Sequence, residues 1–154
     1  MRSLLIAALL LSTSAPAFAA KVEDSGFFVV LLNEDGSSQT VETDIVPLIP
    51  DRVCFGWRIR LGEIGKVVKT VEELTLPVPP ASWLGIDEYS PTQISSDHRT
   101  ATTTVFATPQ DGWIENTWCI AAGDPAGPHT FRISADGALL KTFNFTVTEP
   151  DQIH

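Results

Sequence analysis

Two cysteines, one tyrosine, one methionine and three histidines among 154 residues leave few raw materials for redox, metal or general acid–base chemistry. No Cys-x-x-Cys, His-x-His, Glu-x-x-His or calcium-loop spacing occurs, so a built metal site is not expected, and no cofactor is implied. Gly-x-Ser-x-Gly and phosphate-cradling glycine loops are missing as well. Bases are scarce: ten Lys and Arg stand against nineteen Asp and Glu, a formal charge of −9. An acidic surface repels nucleic acid and anionic lipid, and no basic stripe overrides it, which excludes both as partners. The sole long apolar run is Leu4–Leu11, too short to span a bilayer, which needs roughly 20 residues.

That run has a different meaning. Arg2 precedes it and Ala17-Phe18-Ala19 follows it, the layout of a secretory signal peptide. Residues 1–19 are therefore expected to be removed after Ala19, leaving 20–154 as a single exported domain, periplasmic or extracellular, with no membrane insertion. Loss of Arg2 moves the net charge from −9 to −10. In an oxidising compartment an even pair of cysteines reads as one bridge, Cys54–Cys119.

The remainder reads as strands. Phe27–Leu32, Thr40–Val46, Val53–Leu61, Val67–Leu76, Thr100–Ala107, Trp113–Ala121, His129–Ser134 and Leu139–Thr148 are rich in β-branched and aromatic residues and are separated by turn signals. Asp136-Gly137 is the strongest hairpin signal. Residues 67–76 also fit a helical stripe through Val67, Val71 and Leu74, but Val67, Val68, Thr70 and Val71 favour strand. Seven or eight strands without an amphipathic helix predict an all-β, antiparallel β-sandwich.

Side-chain parity makes the bridge specific. Cys54 alternates with Arg58 and Arg60, and Cys119 with Trp113, Glu115 and Thr117, away from the apolar sets Phe55/Trp57/Ile59 and Ile114/Trp118. Antiparallel strands with Cys54 opposite Cys119 place Arg58 opposite Glu115, Arg60 opposite Trp113, Phe55 against Trp118 and Ile59 against Ile114. Trp57 opposite Asn116 is the one misfit. An outer-face disulfide follows, unless a bulge at Gly56 switches the parity.

The stretch Trp118-Cys119-Ile120, Gly123-Asp124-Pro125-Ala126-Gly127-Pro128-His129, Phe131–Ser134, Asp136-Gly137 and Phe143–Val147 resembles the end of exported bacterial immunoglobulin-like modules. The resemblance implies an immunoglobulin-like sandwich closed by this hairpin, of the kind found in small exported bacterial proteins of uncharacterised function. Two antibody hallmarks are missing: Trp57 follows Cys54 too closely, and no Tyr precedes Cys119 by two positions. Such a fold carries no function with it.

Two surfaces are candidates for binding. The first is the sheet face of Arg58, Arg60, Trp113 and Glu115, whose Arg and Trp content suits a protein partner; a self-satisfied cross-strand ladder is the plainer reading. The second is residues 77–99, where Trp83 and Tyr89 lie among Asp87, Glu88, Asp97 and His98. Rings beside carboxylates suit a glycan of carbohydrate or peptidoglycan type. The plainer reading is that Trp83 and Leu84 fold back as a lid over one end of the sandwich. Ser95-Ser96-Asp97-His98 holds the letters of a catalytic triad, but sequence neighbours rarely meet in that geometry. The pairs Glu72-Glu73 and Asp87-Glu88 read as solvated surface acids. The expectation is a binding module rather than an enzyme, with a protein partner ahead of a glycan and an enzyme of unknown mechanism last.

Overall fold

A computed structural model describes residues 20–62, 66–83, 86 and 91–152. The signal-peptide reading of residues 1–19, and Asp87, Glu88 and Tyr89, lie outside them. Among the described residues no helix is long and apolar enough to cross a membrane.

Among the described residues, ten strands form two packed sheets. They are β1 (Val22–Leu32), β2 (Ser38–Val41), β3 (Ile45–Pro47), β4 (Val53–Leu61), β5 (Val68–Thr75), β6 (Thr92–Ile94), β7 (Thr100–Ala107), β8 (Trp113–Cys119), β9 (Gly127–Ala135) and β10 (Ala138–Thr148). The four-stranded sheet runs β2-β1-β4-β8 and the six-stranded sheet β3-β10-β9-β5-β7-β6. All pairings are antiparallel except β3 with β10, so the second sheet is mixed rather than purely antiparallel. Residues 67–76 are strand: Val68, Thr70, Glu72 and Leu74 are buried in alternation, the period of two that a helix would break. The expected Thr40–Val46 strand divides, because Glu42–Asp44 carries the chain from one sheet to the other.

The β4–β8 register is the one parity requires. Cys54 pairs with Cys119, Phe55 with Trp118, Trp57 with Asn116, Arg58 with Glu115, Ile59 with Ile114 and Arg60 with Trp113. No bulge interrupts it at Gly56. Glycine is needed there for closeness: a Cβ would overlap the Asn116 carbonyl oxygen and lie 2.9 Å from Phe28 Cζ. Cys54 and Cys119 are bonded, and neither joins the apolar core cluster. Cys119 is exposed; Cys54 is buried beside it.

That core is filled alternately from both sheets. Val53, Phe55, Trp57, Ile59 and Leu61 of β4 face Leu74, Phe131, Ile133, Phe143, Phe145 and Val147. Phe27, Phe55, Phe131 and Phe145 form a ring cluster with centroids 4.6 to 6.4 Å apart. Asp136 and Gly137 take φ of 48° and 86°, the paired left-handed residues of a tight hairpin turn joining β9 to β10.

Candidate functional site

The outer face of the four-stranded sheet gathers Arg58 and Arg60 from β4, and Trp113, Glu115 and Thr117 from β8. Register alone does not decide their partners. Arg58 Nη2 bonds Glu42 Oε1 at 2.5 Å, not the Glu115 carboxylate opposite. Its guanidinium lies 5.2 Å from the Trp113 ring centroid, a diagonal cation–π contact in place of the expected one from Arg60. Arg60 instead faces Glu23, with Nε 3.8 Å from Oε2. Both arginines thus turn toward carboxylates brought by other segments, and Glu115 keeps no ion pair among the described residues.

The face is also hollowed. A depression of about 280 Å³ is lined by Arg58, Gln110, Trp113 and Glu115. A second, of about 270 Å³, is lined by Phe28, Thr40, Glu42, Arg58, Glu115 and Thr117. Arg58 and Glu115 stand on the ridge they share. Phe28 had no signal in the sequence, because the apolar run Phe27–Leu32 does not say which of its members faces out. It lies across Gly56 on this face.

At one end of the sandwich a hollow of about 260 Å³ is lined by Trp83, Trp118, Asp124 and His129 among others. Trp83 is half-buried, meets Trp118 edge to face at 6.2 Å and donates from Nε1 to the His98 carbonyl at 3.0 Å. It packs on the core cluster, as a lid does. Its loop is tied down again where the Ala81 N–H donates to the Gly123 carbonyl at 3.0 Å. Burial holds the His129 imidazole below its usual pKa, while Nδ1 lies 2.9 Å from the Gly127 carbonyl. Burial also pushes the Asp124 carboxyl up, against a hydrogen bond from the Ala121 N–H. Of the rings and acids expected to gather in residues 77–99, Asp87, Glu88 and Tyr89 lie outside the described residues, and Trp83, Asp97 and His98 are placed. Asp97 caps its own turn, accepting from Ser95 Oγ at 2.5 Å and the Arg99 N–H at 3.1 Å, which lowers its pKa. The triad letters Ser95–His98 are thus the turn between β6 and β7.

The largest departure from expectation is Glu72. Instead of a solvated acid it is 2 % exposed, on the inner face of β5. It accepts from Trp57 Nε1, from Trp118 Nε1 at 2.6 Å and from Asn116 Nδ2 at 3.1 and 3.2 Å. All three donors come from the opposite sheet. The Trp57–Asn116 pairing that fitted poorly across β4 and β8 is explained, since both side chains reach the same carboxylate. Burial raises the Glu72 pKa, and the three hydrogen bonds oppose that shift. The signal was present in the chain: Glu72 shares parity with Val68, Thr70 and Leu74, whereas Glu73 does not.

Among the described residues no group of three or more metal-ligating side chains assembles. Comparison with known proteins bears on the fold. Residues 26–148 match the family model described as PM0630 beta sandwich domain. The chain is also similar to a crystal structure of an immunoglobulin-like protein from Pseudomonas aeruginosa. That match has a TM-score of 0.52 and 14% identity, and covers 86% of this chain and 100% of the other. No curated protein matches.

Proposed function

The chain belongs to the PM0630 beta sandwich domain family, and from that premise we propose that it is an exported, non-catalytic module that binds a protein partner in the bacterial envelope or exterior. The outer face of the four-stranded sheet carries the reading. There Trp113, Phe28 and Arg58 border two adjoining hollows with acids on their rim. Aromatic and arginine side chains supply most of the binding energy where protein surfaces meet, and an uneven sheet face offers them a partner-shaped relief. The signal-peptide pattern and the Cys54–Cys119 bridge support export, because disulfides persist outside the cytoplasm.

Glycan binding is the second reading, and the hollow beside Trp83 and Trp118 favours it over an enzyme. Trp83 is engaged on one edge and through its N–H, which leaves ring surface for stacking but little freedom to close on a ligand.

The test is a crosslinking pull-down from the native envelope fraction with the mature protein and its Trp113→Ala and Arg58→Ala variants. One stoichiometric protein partner, crosslinked through this face and lost in both variants, is expected. A partner retained by both variants, or tryptophan fluorescence that responds to a peptidoglycan fragment and is silenced by Trp83→Ala, would overturn it.

A further inference from the structure

The two sheets are unequal, four strands against six, and the deficit falls at one place. Asn116 and Trp118 of β8 reach Glu72 on β5, so β8 lies over β5 and nothing in the four-stranded sheet lies over β7. Inward-facing residues of β7 record this. Ala101 is 0 % exposed and Thr103 7 %, yet Val105, on the same face, is 43 % exposed. A cavity of about 80 Å³ opens here between the sheets, lined by Thr70, Glu72, Thr103, Val105, Glu115 and Asn116 among others. In it Thr70 Oγ1 is buried without a hydrogen-bond partner.

Among the described residues, the β8 edge that borders this opening has no neighbouring strand. The Leu61 N–H donates to the Gly112 carbonyl and the Ile120 N–H to the Val53 carbonyl, each at 2.8 Å. Alternation then turns the peptide groups of Ile114, Asn116 and Trp118 toward β4, and those of Trp113, Glu115, Thr117 and Cys119 away from it. Trp113 closes both of its groups on Gln110, at 2.8 and 2.9 Å. The N–H and C=O groups of Glu115, Thr117 and Cys119 are directed along the sheet away from β4, and among the described residues no strand lies beyond them.

We propose that β8 accepts an extended segment of a partner protein as a fifth strand, with basic side chains on its outer side and apolar side chains on its inner side. Main-chain hydrogen bonds to Glu115, Thr117 and Cys119 supply the docking, as in other cases of strand addition. Its inner side chains cover Val105 and Thr103 and enter the cavity. Its outer side chains meet Glu115, the carboxylate of this face that has no ion pair among the described residues. A second copy of this chain is the poorer occupant, because pairing β8 with itself brings two Glu115 side chains together on molecules of formal charge −9. The proposal rests on the binding-module reading and names how that module holds its partner.

The probes are ten-residue peptides of alternating Val and Lys and of alternating Val and Glu, added to the mature, disulfide-bonded protein. Amide hydrogen exchange followed by NMR is expected to show protection of Glu115, Thr117 and Cys119 with the Val/Lys peptide and none with the Val/Glu peptide. Thr117→Pro removes an outward N–H that β4 does not use, so the fold is kept and affinity falls about tenfold, the worth of one hydrogen bond. Should that variant misfold, N-methylation of each alternating set of the Val/Lys peptide asks the same question of the wild type: one set is expected to abolish protection. Equal protection by both peptides, binding untouched by either methylated set, or protection that appears with rising protein concentration alone overturns the proposal. If the peptides fail while Trp113 and Arg58 still crosslink to a partner, strand addition is wrong and the sheet-face reading survives; if both fail, the module reading falls with it.

Discussion

Glu72→Gln keeps the shape of the side chain and removes one of its two acceptor oxygens. Trp57 and Trp118 donate to different oxygens, so the glutamine oxygen serves one indole and its amide N–H₂ confronts the other. Trp57 is 2 % exposed and has no water to turn to, whereas Trp118 is half-buried. The variant therefore keeps the Trp57 bond and gives up the one from Trp118. The protonated carboxyl keeps acceptor lone pairs on both oxygens whereas the amide nitrogen has none, and leaving a donor unsatisfied costs about 1–3 kcal/mol, so a loss of about 2 kcal/mol is expected in acid. In a domain of this size that lowers Tm by about 5–10 °C. Titration sharpens the test. Because burial raises the Glu72 pKa in the folded protein, its contribution to stability is complete below the unfolded value of about 4.3 and is lost as pH rises through the folded value. Urea unfolding of both proteins across pH should give a gap that is widest in acid, narrows as the carboxyl ionises and then levels. A gap that widens with pH would mean that the indole and amide donors outweigh burial, and a gap below about 0.5 kcal/mol would mean that they are not coupled to the carboxylate.

Three other outcomes follow from the same structure. Reducing Cys54–Cys119, which closes a separation of 65 residues, should remove up to about 4 kcal/mol in urea titrations with and without dithiothreitol; unchanged midpoints would refute this. Gly56→Ala should lower stability by about 2 kcal/mol or more in thermal unfolding, since the new methyl overlaps the Asn116 carbonyl and crowds Phe28; a neutral result would show that β4 and β8 slide apart freely. Trp113→Ala should leave the unfolding free energy from urea titration within about 0.5 kcal/mol of wild type, as a partly exposed residue off the core cluster, so that any lost partner reports on binding.

Parity carried much of the architecture. The alternation around Cys54 and Cys119, with one charged pair, one cation–indole pair and two apolar pairs as checks, yields the β4–β8 register residue by residue. Asp136-Gly137 marks its hairpin because few other dipeptides tolerate two left-handed residues. What parity does not carry is reach: Arg58 finds Glu42 and Arg60 finds Glu23, carboxylates whose approach depends on strand order. The short strands β2, β3 and β6, of three or four residues, are defined by their neighbours more than by their own composition. Glu72 was missed for a related reason. Its burial is decided by donors from another sheet, which pairwise reading of adjacent acids does not see.

The position of β10 sets the order of events during folding. Residues 138–148 lie inside the six-stranded sheet, between β3 and β9, and bring Phe143, Phe145 and Val147 to the core. Ile45–Pro47 therefore waits about a hundred residues for β10, its one sheet neighbour among the described residues, and the disulfide waits for Cys119. A growing chain that lacks its last strand has two half-sheets and an exposed aromatic cluster instead of a domain. Such a chain stays unfolded and threadable until residues 138–148 have emerged and β10 can join β3 to β9.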